Sequence, residues 1–159
     1  MAITLNDLTV NFRHLDPVTL LDDWRWLIGP RKFPILLAAI GDAFVQDADD
    51  NSVHLLSTDT AELVQVAADP EEFRRLLGQK EFVVDTLAVQ AVGELIRADI
   101  RLGPGQIYSY KRPPVLGGAF ALDNIEPADI EVHFSLSGQI HEQVRDLPPG
   151  TPITGVSIR

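Results

Sequence analysis

Blocks of apolar residues, separated by polar turns, predict a mixture of helices and short strands. Thr4 and Asp7 have the spacing of a capping pair at a helix start. Residues 17–28 place apolar side chains at helical intervals until Gly29-Pro30, so they predict an amphipathic helix. The apolar run 33–40 is too short for an ordinary buried helix and fits a strand.

The middle of the chain predicts an antiparallel meander followed by helices. Residues 43–45, 53–56 and 63–66 are apolar segments joined by polar turns, which is the pattern of hairpins. Asp69-Pro70 is typical of a helix start and Gly78 of its end. A longer helix is expected over residues 82–100, weakened by Gly93.

Glycine and proline become frequent after Leu102, where two further strands are expected at 107–110 and 130–134. Alternation in the second strand would place Glu131 and His133 on one face. A short helix is expected over 139–147. The pattern as a whole predicts an α+β fold in which small antiparallel sheets pack with N-terminal and central helices. We expect a single domain over 1–159, with an N-terminal helical extension at 1–23 before a domain at 24–152.

Composition excludes several classes of protein. The 159 residues are 45% hydrophobic and carry no cysteine, so disulfides, thiolate metal sites and a cysteine nucleophile are excluded. Neither a bilayer-length apolar run nor a signal-peptide pattern is present, so we expect no membrane span. The net charge of −10 argues against direct binding of nucleic acid or anionic lipid.

The negative charge is concentrated in one quarter of the chain. Residues 33–73 contain nine acidic residues and no lysine or arginine, whereas the remaining residues are nearly neutral. Such a segment can steer a basic partner, or it can be a solvated face that keeps the protein soluble. The candidate partner-binding residues are Asp42, Asp47, Asp49, Asp50, Asp59 and Glu62.

Glu131, His133, His141 and Glu142 are the candidates for a metal or acid–base site, because zinc and proton transfer both use histidine beside carboxylates. No HExxH or EF-hand pattern accompanies them, and a packed, hydrogen-bonded histidine explains His133 equally well. We therefore expect no metal and no cofactor.

Tyr108, Tyr110, Lys111 and Arg112 mix aromatic and basic groups, as nucleic-acid platforms and protein interfaces both do. Because the chain is acidic, we favour a structural role for these residues at the end of a strand. Contact with a protein partner remains an alternative. The Gly103-Pro104-Gly105 turn lacks the lysine and hydroxyl of a phosphate loop.

Several short motifs occur in a fixed order: Gly41–Phe44, Leu102–Lys111, Leu116–Gly118, Glu131–Ser135, Gly138–Gln143 and Asp146–Gly150. In this order they resemble the bacterial domain family, first catalogued as of unknown function, that forms the C-terminal part of immunity proteins for type VI secretion DNase effectors. The resemblance runs from about Trp24 to Pro152, and its specific part is 102–150. The immunity proteins usually carry an additional domain before this one, whereas this chain has about two dozen residues there.

The resemblance implies a cytoplasmic antitoxin that binds and neutralises a secreted nuclease and catalyses no reaction itself. It assigns no residue to toxin contact. The acidic residues named above are the candidate toxin-facing surface on charge alone, since a nuclease that grips phosphate presents a basic cleft. The alternatives are a metal-binding protein or enzyme using Glu131, His133 and His141, and a self-associating structural protein.

Overall fold

Two antiparallel sheets and six α-helices make up residues 2–159, the part of the chain that the computed structural model describes. The strands are β1 (Thr9–Val10), β2 (Lys32–Ala38), β3 (Ala43–Asp47), β4 (Val53–Ser57), β5 (Glu62–Ala67), β6 (Gln106–Tyr110) and β7 (Ile125–Asp129). The helices are α1 (Leu5–Leu8), α2 (Arg25–Ile28), α3 (Pro70–Leu77), α4 (Lys80–Leu87), α5 (Val89–Arg97) and α6 (Ile130–Val144). This confirms the predicted α+β fold.

Strands β1 to β5 form one sheet in chain order, with every neighbour antiparallel, so the predicted meander is confirmed. The β3–β4 turn closes at Asn51, whose φ of 65° is a conformation that asparagine tolerates. Strand β1 was not predicted. Its two residues pair with Leu37 and Ala38 of β2, directly after the short helix that begins at Leu5.

Both faces of this sheet are buried at its central strands. Phe44 of β3 points to one apolar cluster, while its neighbours Ala43 and Val45 point to a second cluster on the opposite face. Residues from both sides of Leu102 contribute to each cluster, among them Tyr108 in the first and Ile107 in the second. The boundary expected at residue 24 stays a prediction.

Helices α3 to α5 cover the first face. Helix α3 begins where predicted, since the Asp69 carboxylate accepts a hydrogen bond of 2.8 Å from the Glu72 N–H. The single helix predicted for 82–100 is wrong, because Ala88 adopts a left-handed φ of 51° that separates α4 from α5. Leu87 and Val92 would point about 140° apart on one straight helix, and the break lets both be fully buried.

The second face is covered by α2, α6 and the β6–β7 sheet, with Trp24 and Phe134 fully buried between them. The helix predicted for 17–28 is shorter than expected: residues 17–21 form turns, Asp22–Trp24 is a 3-10 turn, and α2 follows.

The strand predicted at 130–134 is wrong, as is the start of the helix expected at 139, because both stretches belong to α6. Asp129 caps this helix by accepting a 3.0 Å hydrogen bond from the Val132 N–H. The strand in this region is instead β7, which carries Pro127 and pairs with β6. Within residues 2–159, no helix has the length and apolar character needed to cross a membrane.

Gly138 sits where α6 crosses the 3-10 turn, and a Cβ there would lie 2.5 Å from the Asp23 carbonyl oxygen. Gly93 of α5 is the matched control, because the nearest atom to an added Cβ is 3.5 Å away. We expect Gly138→Ala to lower the free energy of unfolding by about 1–3 kcal/mol through overpacking. Gly93→Ala should raise it by up to about 1 kcal/mol through helix propensity. Urea denaturation measures both, and equal gains for the two variants would contradict the close crossing.

Candidate functional site

Asp47, Asp49 and Asp50 lie together in the β3–β4 turn, and two of the three hold its backbone. The Asp47 carboxylate accepts a 2.7 Å hydrogen bond from the Asp49 N–H. The Asp50 carboxylate accepts bonds from the Ser52 N–H at 2.9 Å and the Ser52 hydroxyl at 2.6 Å. The hydrogen bond from Asp49 lowers the pKa of Asp47, and those from Ser52 lower the pKa of Asp50.

Much of the charge of this turn is neutralised by β2 and the residue before it. The Lys32 ammonium lies 3.4 Å from the Asp47 carboxylate, and the Arg31 guanidinium lies 3.0 Å from that of Asp49. Three carboxylates therefore face two cations, and the turn presents less negative charge than its sequence suggests.

Asp42, Asp59 and Glu62 lie at the opposite end of the strands, in or beside the β2–β3 and β4–β5 turns. The five residues of β3 separate the two ends by roughly 15 Å at the usual rise per residue. The structure therefore does not bring the six predicted residues into one patch. Within residues 2–159, neither Asp59 nor Glu62 forms a salt bridge.

Asp42 differs from the other five because it is recessed. Its carboxylate accepts a 3.0 Å hydrogen bond from the Thr58 N–H. Burial, and next the nearby charge of Asp59, raise the pKa of Asp42 to about 7. Near neutral pH this residue therefore carries a full negative charge only part of the time.

His133 locks this end of the sheet to α6 and β6. Its Nε2–H donates to the Gly41 carbonyl oxygen at 2.7 Å, which leaves Nδ1 to accept from the Ser109 hydroxyl at 2.7 Å. The Thr58 hydroxyl donates to the same carbonyl at 2.7 Å. Burial lowers the pKa of His133 to about 4, so the imidazole is neutral at physiological pH.

The helical conformation of α6 separates the residues that the predicted strand would have brought together. His133 is buried in the network just described, whereas Glu131 is exposed. His141 lies against Trp24, with ring centroids 5.6 Å apart. Within residues 2–159, no three histidine or carboxylate side chains are grouped so that they could hold a metal ion.

The aromatic and basic residues of 108–112 do not form one platform. The Tyr108 ring is buried and its hydroxyl donates to the Ile100 carbonyl at 2.5 Å. Tyr110 packs edge-on against Phe120, at 5.9 Å between centroids. The Arg112 guanidinium donates to the Leu116 carbonyl at 3.0 Å. These contacts agree with the structural role favoured from the sequence.

A largely apolar cavity of about 410 Å³ lies between α6, β6 and the C-terminal segment. Ile40, Tyr110, Leu136 and Ile158 contribute apolar walls, while Asp59 lies on its lining. The C-terminal segment is held along α6 by Gln143, whose side-chain oxygen accepts a 2.8 Å bond from the Ser157 N–H. No sequence motif marks this cavity, because its walls come from six separate stretches of chain.

Comparison with known proteins bears on the second half of the fold. Residues 67–141 match the family model described as T6SS immunity protein Tdi1, C-terminal. This match confirms the resemblance stated from the sequence, and the matched family is one of type VI secretion immunity proteins. No curated protein matches the chain.

Among solved structures, the fold resembles the crystal structure of Atu4351 from Agrobacterium tumefaciens, with a TM-score of 0.54 and 17% sequence identity. The alignment covers 79% of this chain and 65% of that one, so this chain spans just under two thirds of the solved protein. At 17% identity, this similarity shows a shared fold and nothing about function.

The segment that matches the Tdi1 C-terminal family runs from the last residue of β5 to within α6. It includes Ser109 and His133 of the buried network. All six predicted acidic residues precede it, so the match carries no information about them.

Asp42→Asn tests the buried carboxyl. The pKa of about 7 lies above the ordinary 3.8, so the stability that the protonated carboxyl contributes is complete below about pH 4 and is lost as pH rises through 7. Asparagine keeps the oxygen that accepts from Thr58 and carries no charge. We expect Asp42→Asn to raise the free energy of unfolding by about 1–3 kcal/mol at pH 8 and by much less at pH 5.

Urea denaturation at the two pH values measures this effect. Asp49→Asn is the control, because it makes the same substitution at an exposed carboxylate. A gain for Asp42→Asn that is the same at pH 5 and pH 8 would count against a buried, protonated carboxyl.

Proposed function

We propose that this chain is an immunity protein that binds and neutralises a secreted nuclease-type toxin in the cytoplasm. The observation that carries the proposal is the match of residues 67–141 to a type VI secretion immunity family. The protein acts by binding alone, without a reaction or cofactor of its own. Its partner is the cognate toxin, with no direct role for nucleic acid or membrane.

The charge of the chain supports a nuclease as the toxin. A nuclease that binds DNA needs cationic groups along its cleft, and these are complementary to an acidic protein. Nine of the acidic residues lie between 33 and 73, without a lysine or arginine among them. We propose Asp42, Asp47, Asp49, Asp50, Asp59 and Glu62 as the toxin-facing set.

The two ends of the sheet differ in how much uncompensated negative charge they present to a toxin. Asp47 and Asp49 already pair with Lys32 and Arg31, and Asp42 is recessed. Asp59 and Glu62 have no such partner within residues 2–159, so they contribute the least compensated charge of the set. A toxin that touches both ends has to lie along the strands rather than over either face, since helices cover the faces.

Co-expression tests the immunity function. The product of the neighbouring gene is expressed in cells with and without this protein, and growth is followed. We expect growth to stop with the toxin alone and to be restored by the protein. Toxicity that is unchanged by co-expression would rule out immunity toward that gene product.

Association kinetics test the acidic surface. We expect Glu62→Lys to slow association with the toxin by roughly three- to tenfold at low salt, and the difference to shrink as salt screens the charges. Asp85→Lys makes the same change of net charge on the exposed part of α4, outside the acidic segment, and should change the rate less. Equal slowing by both variants would indicate that only net charge matters.

A further inference from the structure

Strand β5 is the outermost strand of the large sheet, and its outer edge is open. It pairs with β4 on one side, and β4 is its only strand neighbour within residues 2–159. Apart from the ladder with β4, no backbone hydrogen bond joins residues 62–67 to another element of the described chain. The edge therefore keeps donors and acceptors that a further strand can use.

The direction of these groups follows from the register. The Asp47 N–H donates to the Ser52 carbonyl, so odd-numbered residues of β3 face β4. Val45 pairs with His54, and Leu55, the next residue of β4, therefore turns its backbone toward its partner Val64 in β5. Alternation then leaves the N–H and C=O groups of Leu63 and Gln65 on the open side.

This edge is protected at its Val66–Ala67 end, where the pairing with β4 skips Val66, as in a β-bulge, and the Gln65 side-chain amide donates to the Ala67 carbonyl at 3.3 Å. The edge beside Leu63 and Gln65 is otherwise unprotected. It contains no proline, lysine or arginine, and the Val64 side chain is 56% exposed. The opposite edge of the sheet is protected. There β1 covers part of β2, and β2 itself carries Lys32 and Pro34.

Acidic residues flank the open edge at both ends. Asp59 and Glu62 stand at its start, and Asp69, Glu71 and Glu72 follow its end. A second copy of this chain, added either parallel or antiparallel, would bring acidic residues against acidic residues. A strand with basic residues on both flanks would instead meet opposite charges at both ends.

We infer that the β5 edge binds an extended strand of a basic protein by strand addition, with backbone bonds to Leu63 and Gln65. The partner strand is β-branched or apolar at its centre, facing Val64, and carries lysine or arginine on either side. The identity of that protein as the toxin rests on the proposed function, whereas the binding mode rests on the edge itself.

Gln65→Pro and Gln65→Ala form a matched pair for the test. Both remove the side chain, but only proline removes the outward N–H, and no ladder bond to β4 is lost because that N–H points away from β4. Val64→Lys is a second variant that leaves the backbone unchanged and repels a basic strand. Circular dichroism and thermal unfolding check that each variant is folded.

The probe is a synthetic β-hairpin peptide whose recognition strand alternates valine and threonine between pairs of lysines. The same peptide with glutamates in place of lysines is the control. We expect the lysine hairpin to shift the amide NMR signals of Leu63 and Gln65 and to slow their hydrogen exchange. Gln65→Ala should bind it within about twofold of the unchanged protein, while Gln65→Pro and Val64→Lys should bind at least tenfold more weakly.

Each outcome decides a separate point. Absence of binding, equal binding of the glutamate hairpin, or binding that survives both Gln65→Pro and Val64→Lys would overturn strand addition at β5. Formation of dimers by the unmodified protein through this edge, seen by sedimentation, would also overturn it. If the hairpin binds as expected but co-expression does not relieve toxicity, the proposed function fails and the strand-binding edge stands.

Discussion

Burial of the central strands of the five-stranded sheet on both faces is the constraint on which the rest of the molecule depends. Phe44 packs into the cluster beneath α3 to α5, and Val45 packs into the cluster beneath α2 and α6. A strand buried on both sides leaves only its ends and edges in contact with solvent. Partner contacts that involve the sheet are therefore confined to the turns and to the outer strand.

The turns at one end of the sheet are held rigid by a single buried histidine. His133 connects Gly41, and through it Thr58, to Ser109 on the other sheet. Gly41 has a φ of 110°, and a Cβ there would lie 2.9 Å from the imidazole, so glycine is required at this contact. This network fixes the backbone of the adjoining turns, and the Asp42 carboxylate is held on the Thr58 N–H. An ordered side chain loses less entropy when a partner binds.

The parts of the fold with local signals were predictable from the sequence. The hairpin of β3 and β4 has apolar strands and a polar turn, and α3 begins with a capping aspartate and proline. The failures share one cause, which is that tertiary contacts overrode a local pattern. Ile130, Val132 and Phe134 alternate as in a strand, but burial of Ile130, His133 and Phe134 at helical spacing decided the outcome.

The site was harder to predict than the fold, because charge along a sequence does not state where the charge lies in space. The sequence of the acidic segment suggests one surface, yet its acidic residues lie at opposite ends of the sheet. Two carboxylates are neutralised by Arg31 and Lys32, which stand just before the segment and were therefore not counted with it. The open edge of β5 has a local signal in its β-branched composition, but only the strand order reveals that no neighbour covers it.

Steering and docking are separable in this arrangement. Long-range attraction depends on the summed field of the acidic residues and does not require that they form one patch. Strand addition depends on a few backbone groups at fixed positions and is insensitive to salt except at its flanks. The backbone bonds at the edge therefore affect mainly the rate of dissociation, whereas the acidic residues affect mainly the rate of association. If the acidic residues face the partner and β5 adds a strand, as proposed, the protein attracts many basic proteins weakly and retains only those that present a strand able to pair with β5.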